Sequence, residues 1–468
     1  METQNIFAFL AVSMLCMCFG WGVRGSSIGG EKGAMLPGAL LGIVCVWYTG
    51  SDLLMQNVFL FAASGALGYF YGGMETYGST MGLVLNHGTA WHNPSLGYLA
   101  LAFKGSIWGC LGAGFLGMSF SAASGAVYKW YDFVVLFALI PLLQQVGYHI
   151  FNTPFDPENG KMPKVSFSER RREEWGRNLA VIAALLVLMF IRRDIFGLLM
   201  CGAGALAGST GWVVGITVFD KQLCSAQKGK HMFGALSRYN VVDGWKIMEY
   251  IQGCFNGLVI GLAFVLGWPM AAKNLEKAES AGKLWSALPS KVEVVLPWIF
   301  CAFIICIAFL YATRKFRKID DNVLDVIERP FYMVMPLCLI MLGSLTMAQL
   351  ICGFVMYFVV AYHDATERFG KYKHITLIRI LLALIGAAIL AVQAVRGFAL
   401  FEVWFFLCFG YLVFDFAAIF HPVTVSENRK KSKNCKDFLA SFGGSATVQP
   451  FFWLLATVMC VFGYFNFR

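Results

Sequence analysis

Apolar residues run along this chain in long blocks, separated by short stretches rich in glycine, charge or both. A helix needs about 20 apolar residues to cross about 30 Å of hydrocarbon. With that ruler the pattern predicts spans near 6–23, 34–49, 56–73, 95–118, 131–151, 178–191, 195–219, 247–270, 294–313, 331–361, 375–395, 398–420 and 447–466. Two are odd in length: 178–191 is short and stops at Arg192-Arg193-Asp194, whereas 331–361 is too long for one upright helix.

Loop charge tests the threading, because cytoplasmic loops carry an excess of Lys and Arg. If the loop holding Arg170-Arg171-Arg172 is inside, simple alternation also places the basic loops 220–246 and 314–330 inside, but puts the basic loop 421–446 outside. A helical hairpin at 331–361, broken at Pro336 and Gly343-Ser344, removes the conflict and raises the count from about 13 to about 14 segments. A single long helix kinked at Pro336 is the other solution.

A parallel internal repeat is a candidate. Gly78-Ser79-Thr80 precedes Gly109-Cys110 as Gly208-Ser209-Thr210 precedes Gly253-Cys254, in Gly-rich spans four apart. Gly-rich helices also resemble one another by composition alone. The expected organisation is a transmembrane region over 1–270, with two four-helix units as the candidate repeat, and a second transmembrane region over 271–468. The long loops, Asn152–Arg177 and His421–Gly444 among them, read as solvated connectors too short for a core of their own, with turn chemistry at Asp156–Lys164.

Composition agrees: of 468 residues, 58% are hydrophobic and 14% charged, against about 25% charged in ordinary soluble proteins. The expected fold class is all-α, a polytopic transmembrane helix bundle with Gly-rich broken helices. The net charge of +10 sits in short loop runs of the kind that face anionic headgroups, so nucleic acid is not an expected partner and the lipid bilayer is. The 14 cysteines form no C-x-x-C pair and lie mostly in apolar segments, which indicates packing and neither disulfides nor zinc. Met1-Glu2-Thr3 opens without a basic n-region, so the first span is expected to be retained as a helix.

The densest chemical signal is Gly20–Gly38, where six glycines between Gly20 and Gly33 surround Arg24, Glu31 and Lys32 between two apolar runs. Such backbone is tolerated at membrane depth where it is buried in protein or lines a cavity, and its free amides can bind anions. A tight interfacial turn with Arg24 snorkelling to headgroups is the plainer alternative. Glu75, Thr76 and Tyr77 end the third span with several hydrogen-bonding groups, a polar pocket if they stand beside Arg24 and an ordinary helix end if they face the surface. Lys104 lies about ten residues into its span, a position that calls for a partner, with Glu75 and Glu249 as candidates and snorkelling as the alternative. Glu249, Gln252 and Asn256 share one face of the span near 247, while Gly253, Gly257 and Gly261 stripe another.

Other constellations are weaker. His87 and His92 have an H-x4-H spacing but no third metal ligand nearby, so they read as headgroup contacts beside Trp91 and Pro94. No metal and no cofactor is expected. His363-Asp364 with Glu367-Arg368 would suit a general base, and a charged interfacial turn explains them equally. Arg379, Arg396, Glu402 and Asp415 lie near span ends.

The pattern Gly-Trp-Gly-x-Arg-Gly, Glu31 before Gly33-Ala34-Met35, Thr76-Tyr77-Gly78, and Trp245 with Met248-Glu249 resembles a group of uncharacterised bacterial multi-pass membrane proteins, over roughly residues 18–265. The resemblance implies a bacterial inner-membrane protein and brings no activity. Members of that group often carry His before the Glu, where this chain has Gly30, which argues against any proton or metal role that needs a histidine at that position.

Two functions follow. The first is a secondary-type transporter of a small polar or anionic solute by alternating access: Arg24 and Lys104 hold the anion with Lys32 nearby, Glu31, Glu75 and Glu249 exchange protons, and Thr76, Tyr77, Gln252 and Asn256 orient the solute. The alternative is an intramembrane acyl- or glycosyl-transferase acting on a lipid or lipid-linked substrate.

Overall fold

Apolar blocks fold as helices because backbone N–H and C=O groups in hydrocarbon must pair within their own segment. The computed structural model describes residues 4–24, 30–73, 77–123, 126–168, 173–230, 232, 244–280, 400–410 and 450–467. The spans expected near 294–313, 331–361 and 375–395, the basic loop 421–446, His363-Asp364, and the side chains of Glu31 and Lys32 lie outside the described residues. Among those described, every regular element is helical and no strand occurs.

In chain order the helices are α1 (Ile6–Arg24), α2 (Gly30–Thr49), α3 (Asp52–Gln56), α4 (Val58–Gly73), α5 (Tyr77–Leu85), α6 (Pro94–Ala123), α7 (Trp130–Phe151), α8 (Trp175–Arg192), α9 (Ile195–Gln227), α10 (Gly244–Ser280), α11 (Leu400–Phe405, continued as a π-helical turn to Gly410) and α12 (Pro450–Asn466). Five of them are long and apolar enough to cross a membrane: α1, α6, α8, α9 and the Gly244–Glu276 part of α10. The chain is therefore a membrane protein by the length and composition of its helices. At 33 and 37 residues, α9 and α10 reach about 50 and 55 Å, well beyond the hydrocarbon thickness.

Helices α1, α2, α4, α6, α9 and α10 close a ring, and each joint is made at glycine. A Cβ at Gly20 of α1 would overlap Pro37 of α2, and Gly38 of α2 lies backbone to backbone with Gly65 of α4. Gly68 of α4 meets Leu111 and Gly112 of α6, and Gly105 and Gly109 of α6 meet Gly208 and Gly204 of α9. Gly211 and Gly215 of α9 meet Gln252 and Met248 of α10, whose Gly253 and Gly257 close the ring on Met17 and Ser13 of α1. Without a hydrophobic drive between helices in lipid, close backbone approach and dispersion supply the association, so small residues belong at these joints. Outside the ring, α7 and α8 pair at Gly147 and Gly176, and α12 lays Phe452 on Phe19 of α1 with ring centroids 4.9 Å apart.

The inside of the ring differs from end to end. At one end Phe61, Phe120 and Phe264 form an apolar plug, with centroids 4.3 Å apart for Phe61–Phe120 and 4.9 Å for Phe120–Phe264. Phe9 packs on that plug 5.9 Å from Phe264. Toward the other end, where α1 terminates and α6 and α10 begin, the interior turns to tryptophan, tyrosine and polar side chains.

The connector 152–175 is solvated only in part: residues 157–161 and 164–165 are exposed, but its two ends are tied into the protein. Asn152, Phe167, Ser168 and Glu173 are buried, and Asn152 Oδ1 accepts from the Gly176 amide at 2.8 Å. Its turn at Asp156–Lys161 is closed by reciprocal backbone hydrogen bonds of 2.7 and 2.9 Å. The sequence hides this because three of these four residues are polar and satisfied by specific partners, so composition alone cannot separate them from hydrated ones.

Between α8 and α9 the chain turns through Arg193, at φ 54°, into Asp194, the N-cap of α9. The Asp194 carboxylate is buried and accepts from the Gly197 amide at 2.8 Å, Ser121 Oγ at 2.6 Å and the Tyr128 hydroxyl at 2.6 Å. Burial pushes its pKa above the ordinary aspartate value of 3.8 despite the three donors, which pull the other way. A carboxyl raised in the folded state holds its proton there longer than in the unfolded chain, so stability falls as pH rises from 3.8 through the raised folded value and is flat above it.

Two outcomes follow for detergent-solubilised protein. Subtracting the thermal midpoint of Asp194→Asn from that of the wild type should leave a difference that declines with rising pH across that acid window; a difference that climbs with pH would mean the donors outweigh burial. Gly109→Ala should destabilise by about 1–3 kcal/mol, because its Cβ meets the Gly204 backbone with nothing flexible to yield. Gly202→Ala, which meets nothing within 4 Å, should be neutral or stabilising by up to about 1 kcal/mol through helix propensity.

Candidate functional site

The last turn of α1 carries Trp21 and Arg24 into the polar end of the ring. Trp21 stacks on Trp108 of α6 with centroids 5.0 Å apart and meets Trp212 of α9 edge-on at 5.8 Å. Tyr77, the first residue of α5, packs 4.3 Å from Trp212. The Arg24 guanidinium carbon sits 4.4 Å from the Tyr77 ring centroid, 4.6 Å from that of Trp108 and 5.6 Å from that of Trp21. A desolvated guanidinium among three aromatic faces gains up to about 2 kcal/mol per good contact, which offsets part of the cost of its burial at 6% exposure.

A polar circuit runs outward from this box. Arg24 Nη1 donates to the Tyr77 hydroxyl, which donates to Glu249 Oε1 at 3.4 Å. Glu249 Oε2 accepts from Lys246 Nζ at 2.8 Å, and the same ammonium donates to the Gly22 carbonyl at 3.0 Å. That carbonyl belongs to the last turn of α1, where helical partners run out and a cation meets the negative end of the dipole. Gly22 admits no side chain, since a Cβ would press on the Phe452 and Tyr250 rings at 2.6 and 2.7 Å.

One turn further along α10, Gln252 is fully buried against Gly211. Asn256 donates to the Gln252 carbonyl at 2.7 Å and accepts from the Tyr69 hydroxyl at 2.8 Å. Several buried polar atoms of the site have no hydrogen-bond partner among the described residues: Arg24 Nε, Trp21 Nε1, Trp108 Nε1, Gln252 Nε2 and Gln252 Oε1. Each such atom costs about 1–3 kcal/mol when left unmade. Four of the five are N–H donors, so the surplus asks for an acceptor.

Lys104 makes a second, complete polar group one turn away, at i−4 from Trp108 on α6. Its ammonium donates to Glu173 Oε1 at 2.7 Å and to Thr80 Oγ1 at 2.9 Å. Glu173 Oε2 in turn accepts from the Phe167 amide at 2.9 Å and Trp175 Nε1 at 3.2 Å. Lys104 pairs with Glu173 and Glu249 pairs with Lys246, which corrects Glu249 as the expected partner of Lys104; Glu75, the other candidate, lies outside the described residues. The physical reason is local supply, since the connector before α8 folds over Lys104 while α10 brings its own lysine at i,i+3.

Of the residues singled out from sequence, Arg24, Tyr77, Glu249, Gln252 and Asn256 come together, and Lys104 stands in the neighbouring layer. Glu75 and Thr76 lie outside the described residues, as do the side chains of Glu31 and Lys32. Sequence reasoning missed Trp21, Tyr69, Trp108, Trp212, Lys246 and Glu173. Lys246 was findable as the i,i+3 partner of Glu249; Glu173 sits in a charged run that reads as hydrated, and the tryptophans acquire meaning only when four helices converge. Comparison with protein-family models, curated protein sequences and solved structures finds no match for this chain.

The Lys104–Glu173 pair yields a clear expectation. Lys104→Met strands a buried carboxylate and Glu173→Gln strands a buried ammonium, so each should cost about 3–5 kcal/mol of stability. The double variant Lys104→Met with Glu173→Gln should be far closer to wild type than the sum of its parts. Chemical unfolding in detergent across this double-mutant cycle measures the coupling, and additive losses would count against the pair acting as a unit.

Proposed function

We propose that this chain is an integral membrane secondary-type transporter for a small polar or anionic solute, which binds at Arg24 and crosses by alternating access. The observation that carries the reading is the state of Arg24: it is buried, no carboxylate among the described residues lies within ion-pair distance, and the unpaired polar atoms around it are mostly N–H donors. A carboxylate or comparable oxyanion would supply both the missing charge and the missing acceptors through charge-assisted hydrogen bonds. Small-molecule sites combine apolar walls with a few placed polar groups, as the tryptophan box and Gln252 do here.

In this reading Tyr77 and Glu249 couple solute to proton, because a single hydroxyl bridges Arg24 and the carboxylate. The Phe61–Phe120–Phe264 plug is the barrier on the far side, and the glycine joints are the surfaces along which helices slide to open it. The finer organisation belongs to the same proposal: 13 to 14 segments with a hairpin at 331–361, a parallel repeat within 1–270, a second transmembrane region over 271–468, and residence in a bacterial inner membrane. Glu31, Lys32, Glu75 and Thr76 are assigned to the solute pathway on sequence grounds.

A thermal-shift screen of purified protein against small organic anions, neutral sugars and polyprenyl-linked compounds tests this. A ligand at about 100 times its dissociation constant adds about 2.7 kcal/mol of stability. A water-soluble anion should stabilise the wild type and not Arg24→Ala, and Tyr77→Phe should keep the stabilisation while losing the pH dependence of uptake in proteoliposomes. Stabilisation by lipid-linked compounds alone would replace transport with the intramembrane transferase, and silence across the panel would remove solute binding at Arg24.

A further inference from the structure

The turn between α5 and α6 lies beside the C-terminal part of α9. His87 Nε2 is 2.7 Å from Asp220 Oδ1 and 3.5 Å from Cys224 Sγ. All three ligand atoms fall within 4.8 Å of one another. Asp220 and Cys224 stand at i,i+4 on one face of α9. The imidazole of His92 lies 4.6 Å from that of His87, ring to ring, and its buried Nδ1 has no hydrogen-bond partner among the described residues. Four metal-ligating side chains from two elements thus meet at one spot, although the chain separates His87 from Asp220 by 133 residues.

We propose that His87, Asp220 and Cys224 bind a divalent transition-metal ion of the zinc class, with His92 as a further donor at hand. The donor set is the borderline mixture of imidazole, carboxylate and thiolate that zinc accepts in tetrahedral sites. Zn–N and Zn–S bonds of about 2.0 and 2.3 Å at the tetrahedral angle place N and S about 3.5 Å apart, which is the spacing between His87 and Cys224. The His87–Asp220 contact is at hydrogen-bond length and has to open to about 3.4 Å to admit the ion. Metal binding ionises the Cys224 thiol, so a proton leaves for each ion taken up.

The turn is built to hold its histidines in place. Thr89 Oγ1 donates to the Asn86 carbonyl at 2.9 Å, the His92 amide donates to the Thr89 carbonyl at 3.1 Å, and Gly88 takes φ +80° where a side chain would be strained. Asn93 then caps α6, its side chain accepting from the Leu96 amide at 3.2 Å. The site would staple this turn to α9. Because α5 carries Tyr77 and Thr80 while α9 carries Trp212, the metal fixes two walls of the tryptophan box relative to each other. The inference stands on its own geometry and does not depend on what the box binds.

The test uses full-length protein in detergent, stripped of metal by chelator and titrated with Zn2+ by calorimetry and with Co2+ by absorption spectroscopy. The expected result is one Zn2+ per chain, bound with proton release, a rise in thermal midpoint, and a thiolate-to-cobalt charge-transfer band. Cys224→Ser should abolish that band, and His87→Ala should weaken Zn2+ binding by at least about tenfold; Cys460→Ser, remote on α12, should change neither. Asp220→Asn is the milder variant, since its amide keeps a hydrogen bond to His87, and it should also weaken Zn2+. The variants must match the wild-type midpoint in chelator, which their place at a half-exposed surface allows. A cobalt complex without the thiolate band, or equal Zn2+ affinity in wild type, Cys224→Ser and His87→Ala, would overturn the proposal.

Discussion

Backbone-to-backbone contact at glycine sets the geometry of this molecule. In lipid, two helices have no hydrophobic reason to prefer each other over acyl chains, so they associate where they touch most closely. Here each step around the ring of α1, α2, α4, α6, α9 and α10 is such a touch. The joint between Gly105, Gly109 and Gly208, Gly204 fixes how far Trp108 stands from Trp212, and Gly211 leaves the space that Gln252 fills. A shift of one joint by the width of a methyl group would reach every wall of the box, because a closed ring cannot relax at one place alone.

Two buried cations illustrate different uses of charge. Lys104 is surrounded by acceptors and a carboxylate that is itself fully hydrogen-bonded, so its burial is settled within the protein. Such a pair adds little net stability over apolar residues of the same volume, but it penalises any arrangement that separates its partners. Among the described residues, Arg24 has rings and a hydroxyl beside it and no carboxylate. Rings favour a cation without neutralising it, which leaves its field available to something else. The contrast is sharper because the two layers are one helical turn apart on α5 and α6.

Most of the described part of the bundle was legible in the sequence, since the length of an apolar run is a direct consequence of bilayer thickness; the described long helices fall on expected spans. The short helices α3 and α5 were not, because at 5 and 9 residues they leave no run to count. The Gly253–Gly257–Gly261 stripe could be read as a packing face, but not its partner, which turns out to be α1. On the site, Arg24 stood out through the cost of a charge beside apolar blocks, and Glu249, Gln252 and Asn256 through their 3.6-residue spacing. Trp108 and Trp212 did not, because aromatic residues are common in membrane helices and these acquire a role only from long-range convergence. His87 and His92 lacked a visible third ligand for the same reason: Asp220 and Cys224 arrive from a helix that the chain reaches more than a hundred residues later.

The closure of the ring also dictates an order of assembly. Helix α1 is joined to α10 across 224 residues, as the contact from Lys246 to Gly22 measures. At ribosomal speeds of about 5–20 residues per second, some 10–45 s separate the synthesis of the two. Throughout that interval the face of α1 that will meet Gly253 and Gly257 has no α10 to pack on, and Arg24 has neither Trp108 nor Trp212 around it until each is made. The nascent chain therefore carries the Arg24 guanidinium at the end of α1 without its aromatic walls while most of the ring is still to come.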